Sequence, residues 1–306
     1  MYDGILNVYK EKGYTSHDVV AKLRGILGQK RIGHTGTLDP DAQGVLPVCL
    51  GKATRLCDML TDKTKTYRAV VLLGKETDTQ DLSGRVLQEK DVEATREEAV
   101  RAVLSFVGEY DQIPPMFSAL KVNGKKLYEL ARQGKVVERE ARKVVIHEIF
   151  IESVELPRIT MTVHCSKGTY IRTLCHDIGR KLGCGGCMES LIRTRSGQFC
   201  MEESLTLSQI ERLRDQGELA QRITSIEDMF QGCPVLSTRP DSDRLVHNGN
   251  PLKAQELDLG EGEDIRKESG ECLHYRVRDS KGRFMGVYEW EQERARLKPW
   301  KMFLEG

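Results

Sequence analysis

The chain has 306 residues, 39% of them hydrophobic and 30% charged, with a formal net charge of +1. Those values suit a globular protein with a sizeable core, divided into one large domain and a smaller one or two of medium size. They exclude a uniformly basic coat, and no run approaches the ~20 apolar residues that span a bilayer. The opening MYDGILNVYKEKG carries no apolar core of signal-peptide length, so a cytoplasmic location with no membrane contact is expected.

In chain order, TSHDVVAKLRGILG opens with Thr15 three residues before Asp18, a capping-box pattern. Its apolar Val19, Val20, Leu23, Ile26 and Leu27 share one helical face, and Gly28 closes the helix. RIGHTGTLDPDAQGVLP (31–47) reads as a tight loop. KTYRAVVLLG (65–74) reads as a strand ended by the polar turn KETDTQDLSG. Thr95 and Glu98 cap a helix whose apolar residues are Ala99, Val100, Val103, Leu104 and Val107. VVIHEIFIESV and ITMTVHC are two strands joined around ELPR, and IRTLCHDIGRKLG (171–183) is a helix with Ile171, Leu174, Cys175, Ile178 and Leu182 on the core side. An acidic loop, QELDLGEGEDIRKESGE, precedes short strands HYRVRD and FMGVYEW joined by SKG. Mixed strands and helices without strict alternation predict an α+β fold with a largely antiparallel sheet, followed by a small β-barrel-like unit. The boundary is expected near GCP, giving domains 1–232 and 233–306.

The nine cysteines are odd in number and follow no framework spacing, so reduced, mostly buried thiols are expected. Cys184 and Cys187 form the one C-x-x-C. A structural zinc site needs a second ligand pair, and His164, Cys165 and His176 are scattered, so the pair reads as coincidence and no metal is expected.

Charge is unevenly spread. Residues 1–201 hold 31 Lys+Arg against 25 Asp+Glu, whereas 202–306 hold 16 against 21. Two stretches concentrate the excess, with eight basic and three acidic residues in 117–143, and seven and two in 158–195. A localised footprint for a polyanion is one reading, and solvated surface charge is the other.

The loop holds chemistry of its own. Asp39 precedes Pro40, which biases it away from helical geometry. It either closes a simple Asx-turn or is a carboxylate fixed in advance of a substrate, as a nucleophile or charge stabiliser must be. Asp41 raises a glycosidase-like carboxylate pair, which one loop is poorly suited to hold on opposite sides of a sugar. Arg172 lies near a helix start, where the macrodipole disfavours a cation unless an anion is close. That anion is a phosphate or a carboxylate such as Asp39, unless Arg172 is simply a surface arginine in water; if it is Asp39, the pair keeps the carboxylate ionised at neutral pH. Tyr67 and Tyr170 are either packing residues or faces on which a flipped base stacks.

RIGHTGTLDPDAQGVLPVCLGKATRL, KTYRAVVLLGKETDTQDLSG, PPMFSALKVNGKKLYELARQG and HCSKGTYIRTLCHDIGRKLGCGG, in this order, closely resemble the TruB family of bacterial pseudouridine synthases, which modify uridine 55 in the T-loop of tRNA. The opening LNVYKEKGYTSHDVVAKLRGILG matches too, except that Glu11 stands where many members have proline. Cys187 stands where many have histidine or another residue. The resemblance runs from about residue 4 to 200 and is looser beyond, where HNGNPL and RLKPWKMF look like a small PUA-like RNA-binding domain.

The resemblance implies a role for each matched residue. Asp39 falls on the family's obligatory aspartate, Tyr67 on the tyrosine that stacks on the target base, and Arg172 on the arginine that pairs with the aspartate. Tyr170 would line the pocket, His34 would enter the T-loop when the uridine flips out, and Leu191 would pack near the base. The insertion 117–143 would clamp RNA, offering Lys125, Lys126 and Arg132 to phosphates. Such an enzyme is an intramolecular isomerase. It needs no cofactor, and no dinucleotide fingerprint or P-loop is visible. It is expected to act on the T-stem-loop of tRNA as a monomer, without an obligate protein partner. An RNA-binding module without catalysis and a glycosidic-bond hydrolase using Asp39 and Asp41 are the alternatives.

Overall fold

In the computed structural model, which describes residues 1–122, 124–259 and 274–304, strand β1 (Gly4–Lys10) leads to helix α1 (Ser16–Leu27). Strands β2 (Ile32–His34) and β3 (Gln43–Leu50) follow, then the short α2 (Cys57–Thr61) and β4 (Lys65–Leu73). A hairpin of β5 (Lys75–Thr77) and β6 (Val86–Glu89) precedes α3 (Arg96–Leu104) and β7 (Gly108–Gln112). A two-stranded ribbon, β8 (Lys121–Val122) and β9 (Lys125–Lys126), runs into α4 (Leu127–Arg132). Next come β10 (Arg142–Glu155), β11 (Arg158–Cys165), α5 (Ile171–Lys181), β12 (Gly186–Ser196), β13 (Phe199–Cys200), α6 (Leu207–Asp215) and β14 (Ile223–Thr224). The last part holds β15 (Val235–Ser237), α7 (Asp243–His247), β16 (Leu252–Lys253), β17 (His274–Arg278), β18 (Phe284–Glu291) and β19 (Arg296–Met302).

The larger sheet has the order β14-β1-β3-β12-β4-β11-β10-β7, with β2 beside β3 and β13 beside β12. Its pairs are antiparallel except β3 with β12, so the expected α+β class and largely antiparallel sheet are observed. The smaller sheet, β15-β17-β18-β19-β16, is built entirely from residues after 234.

Period-two alternation decides which core each side chain joins. Along β1, Ile5 enters one cluster while Leu6 and Val8 enter another on the opposite face; in β3, Val45 and Cys49 divide from Leu46, Val48 and Leu50 in the same way. Strand β4 sends Tyr67, Ala69, Val71 and Leu73 into a third cluster against Ile171, Leu174, Cys175 and Ile178 of α5. Its intervening Arg68 faces out and pairs with Glu152. A strand buried on both faces carries no polar alternation, which is why β1 and β3 are hard to read as strands from their residue pattern.

Helix α1 starts at a true capping box on Thr15 and Asp18 and ends at Gly28 with φ of 61°. Thr95 and Glu98 form the second box. Several expectations need correction. The stretch 31–47 is not one loop: residues 32–34 and 43–50 are paired strands, and only 35–42 connects them. The turn after β4 is a hairpin, with Lys75 opposite Glu89. Helix α3 stops at Leu104, which is exposed together with Val107, and Ala102 takes the buried position instead. Most of the acidic loop, from residue 260 on, lies outside the described residues.

Candidate active site

The 35–42 connection is held at both ends and in the middle. Thr35 donates its amide and its hydroxyl to the Pro47 carbonyl, at 3.1 and 3.0 Å. The Leu38 amide donates to Ser16 Oγ at 2.9 Å, tying the loop to the first residue of α1. The Pro40 carbonyl accepts from the Gly13 amide at 2.9 Å and from Lys10 Nζ at 3.1 Å. Asp39 is therefore bracketed by two anchored neighbours. Lys10, at the end of β1, has no exposed surface, and burial pushes its ammonium down to about 8.

The Asp39 carboxylate turns away from the loop towards Arg172. Arg172 Nε lies 3.0 Å from Oδ2 and Nη2 donates to Oδ1 at 3.3 Å, a two-pronged pair. The same guanidinium donates to the carbonyls of Phe117 (2.8 Å) and Thr79 (3.2 Å) and reaches Asp81 Oδ2 at 3.6 Å. Its side chain is 7% exposed while that of Asp39 is 39% exposed, so Asp39 is the open end of the pair. This cation at the second residue of α5 has the anions that the helix dipole calls for.

The electrostatics of Asp39 are set by burial as well as by the ion pair. Burial raises the Asp39 carboxyl above its ordinary 3.8, Asp81 and Asp41 add to that, and Arg172 and Lys10 only partly oppose it. The pair does not hold Asp39 below the usual carboxylate range. A partly desolvated carboxylate beside a cation is a better base and nucleophile than a fully solvated one.

Four other expected residues are placed around the pair. Tyr67 and Leu191 are buried in one cluster with Leu38, the residue before Asp39. Burial raises the Tyr67 phenol, and Arg193 opposes that rise. Tyr170 caps α5 and is clamped through its backbone: its amide donates to Gln112 Oε1 at 2.7 Å and its carbonyl accepts from Gln112 Nε2 at 3.0 Å. His34 closes β2, where its Nδ1 accepts from the Gly36 amide at 3.4 Å and its ring meets His17 edge to face. Burial, with His17 and Arg193 nearby, lowers its pKa and favours the neutral imidazole.

Lys125, Lys126 and Arg132 stand apart on the inserted segment. Lys126 and Arg132 flank the Tyr128 ring, at 5.4 and 5.5 Å, and Lys125 is exposed. The start of this segment is joined to the pair through the Phe117 carbonyl. Asp41 points elsewhere: its side chain is 65% exposed and lies 4.0 Å from Lys12, so it does not face Asp39 as a second carboxylate. The Cys184 thiol donates to the Gly179 and Gly185 carbonyls, while the His164 ring lies tilted 4.9 Å from that of His147 and His176 bonds Asp177. Asp81, Lys10, Ser16, Gln112 and Arg193 carry no mark in the sequence. Each is an ordinary polar residue whose partner at this site lies 22 or more positions away along the chain, so no local pattern points to that role.

Residues 24–171 match the profile of the TruB family pseudouridylate synthase N-terminal domain, and residues 172–231 match that of the tRNA pseudouridylate synthase B C-terminal domain. A tRNA pseudouridine synthase B of Lachnoclostridium phytofermentans is 51% identical, covering 99% of this chain and 100% of its own. One from Clostridium perfringens is 44% identical, covering 92% and 96%. Among solved structures, a chain of a Cbf5-Nop10-Gar1 complex aligns with a TM-score of 0.71 at 26% identity, over 98% of this chain and 85% of that one. With relatives this similar along nearly their whole length, the chain belongs to the TruB family of pseudouridylate synthases.

Proposed function

We propose that the protein isomerises uridine to pseudouridine in tRNA, at uridine 55 of the T-loop, with Asp39 as the essential carboxylate. The observation that carries this reading is the anchored, half-open Asp39 paired with buried Arg172, beside Tyr67 and Leu191. The reaction breaks the N1–C1′ bond, turns the uracil, and joins C5 to C1′. N1 gains a proton and C5 loses one, so nothing is consumed. Asp39 attacks the nucleotide or stabilises charge as the bond breaks, and Arg172 keeps it oriented. Tyr67 stacks on the base, Tyr170 and Leu191 line its pocket, and Tyr67, water or Asp39 takes the C5 proton.

Reaching the base means flipping it out of the loop, which costs a few kcal/mol. A neutral His34 suits insertion into the gap, because an imidazolium would lose hydration there. Lys125, Lys126 and Arg132 hold phosphates of the T-stem. Residues 1–232 form the catalytic domain and 233–306 the PUA-like one, acting as a cytoplasmic monomer without an obligate protein partner. No described helix is long and apolar enough to cross a membrane.

The test is a T-arm RNA tritiated at C5 of its uridines, incubated with the wild type and with Asp39→Asn. Release by the wild type alone establishes the isomerase. Tight binding with no release by either protein leaves an RNA-binding module, and free uracil among the products leaves a hydrolase.

A further inference from the structure

Among the described residues, Arg193 is the largest side chain shut off from solvent, at 1% exposure. A guanidinium buried this deeply is costly unless its donors are used. Its Nε donates to the Val45 carbonyl at 2.6 Å, yet its Nη2 has no partner among the described residues. Sheet register places it beside two parts of the site at once. Across β12 and β4 it is opposite Tyr67, and across β12 and β3 it is opposite Gly44.

The chain is shaped around it. Gly44 has φ of +103°, and a Cβ there would lie 2.2 Å from the Arg193 carbonyl oxygen. At Gly36, three residues before Asp39, a Cβ would lie 3.5 Å from Nη1. The guanidinium thus runs beneath the Asp39 loop, and the strand register sets the buried Tyr67 directly opposite Arg193. Arg193 therefore lies between the loop backbone and the strand that carries Tyr67.

We propose that Arg193 is a positioning residue for Tyr67: held by the Val45 carbonyl under the loop, its guanidinium fixes the direction of the Tyr67 hydroxyl relative to Asp39. The inference rests on the isomerase reading above and adds a residue to it. The uncommitted Nη2 is the group that donates to the Tyr67 hydroxyl oxygen when the ring settles against a base. A plain strut between β3 and β12 would do none of this through the phenol oxygen.

A double-mutant cycle separates the two roles. Single-turnover tritium release from T-arm RNA is measured for the wild type, Arg193→Lys, Tyr67→Phe and the double variant, with RNA affinity and thermal unfolding measured alongside. Arg193→Lys is expected to slow release about 10- to 100-fold, the scale of one charged hydrogen bond, with RNA affinity unchanged. In the Tyr67→Phe background the same change should cost less than about twofold, because the group it acts on is gone. Equal losses in both backgrounds overturn the proposal, as does a wild-type rate for either single variant. Should Arg193→Lys fail to fold, Arg193→Gln enters the same cycle. A silent wild type instead overturns the isomerase reading, and this inference with it.

Discussion

At Asp39, burial and an ion pair pull in opposite directions, and burial wins. The sign for stability follows. The folded state holds this carboxyl's proton more tightly than the unfolded chain, so ionising it costs stability as pH rises above 3.8. The cost is complete once pH passes the raised folded value and is absent below the ordinary one. Asp39→Asn should therefore melt at a higher temperature than the wild type at pH 7, with the difference closing towards about pH 4. Arg172 keeps its contacts to Asp81, Thr79 and Phe117 in that variant. Turnover should meanwhile fall at least about 1000-fold, as for other essential reacting groups. Paired melting curves across pH and tritium assays check both, and a lower melting temperature at pH 7 would show that Arg172 dominates instead.

Helix α1 shows how neighbouring residues in one element serve different ends. Thr15 closes the capping box, and its hydroxyl accepts from the Asp18 amide at 3.0 Å. Ser16, one position on, reaches across the structure to the Leu38 amide. Thr15→Ala should cost about 1 kcal/mol in a urea melt and leave kcat unchanged. Ser16→Ala strands a buried amide next to Asp39, costing about 1–3 kcal/mol, and should also lower kcat because the loop loses an anchor. Equal kcat values for the two variants would refute the anchoring role. Loop, helix and sheet are one mechanical unit here, since Lys10 ties the end of β1 to the same loop.

Across the whole molecule, the two sheets share a core. Ile5, Val45, Cys49, Ala53, Leu56 and Phe199 pack in one cluster with Val287 and Phe303 from beyond residue 234. Lys301 Nζ also donates to the Arg55 carbonyl at 3.2 Å. Residues 1–232 expressed alone should therefore melt well below the full chain, because each large side chain stripped of cover forfeits about 1.5–3 kcal/mol. An unchanged melting temperature would make the two parts independent. The inserted segment carries the electrostatic part. Reversing Lys125, Lys126 and Arg132 to glutamate should weaken RNA binding. It should also flatten the salt dependence of the affinity by about 0.7–0.9 log units for each phosphate that is no longer neutralised. A binding titration at several salt concentrations reads this directly, and an unaltered slope would remove these residues from the interface.

The helices α1, α3 and α5, the strands β4, β10 and β11, and the need for an anion beside Arg172, which the family resemblance assigned to Asp39, were legible in the sequence. Each leaves a local mark: a capping residue three positions before its acidic partner, a β-branched run, or a cation at a helix start that calls for an anion. The motif order carried the family in the same way, since a specific chain of short segments is a sequence property. What only the tertiary structure decided is long-range. Strands β1 and β3 are buried on both faces and so show no alternation, and the split of 31–47 into two strands and a short loop depends on that burial. Asp81, Ser16, Gln112 and Arg193 take their meaning from partners on other elements. The direction of the Asp39 shift belongs to the same class, because desolvation is a property of the packed fold and no residue neighbour in the chain reveals it.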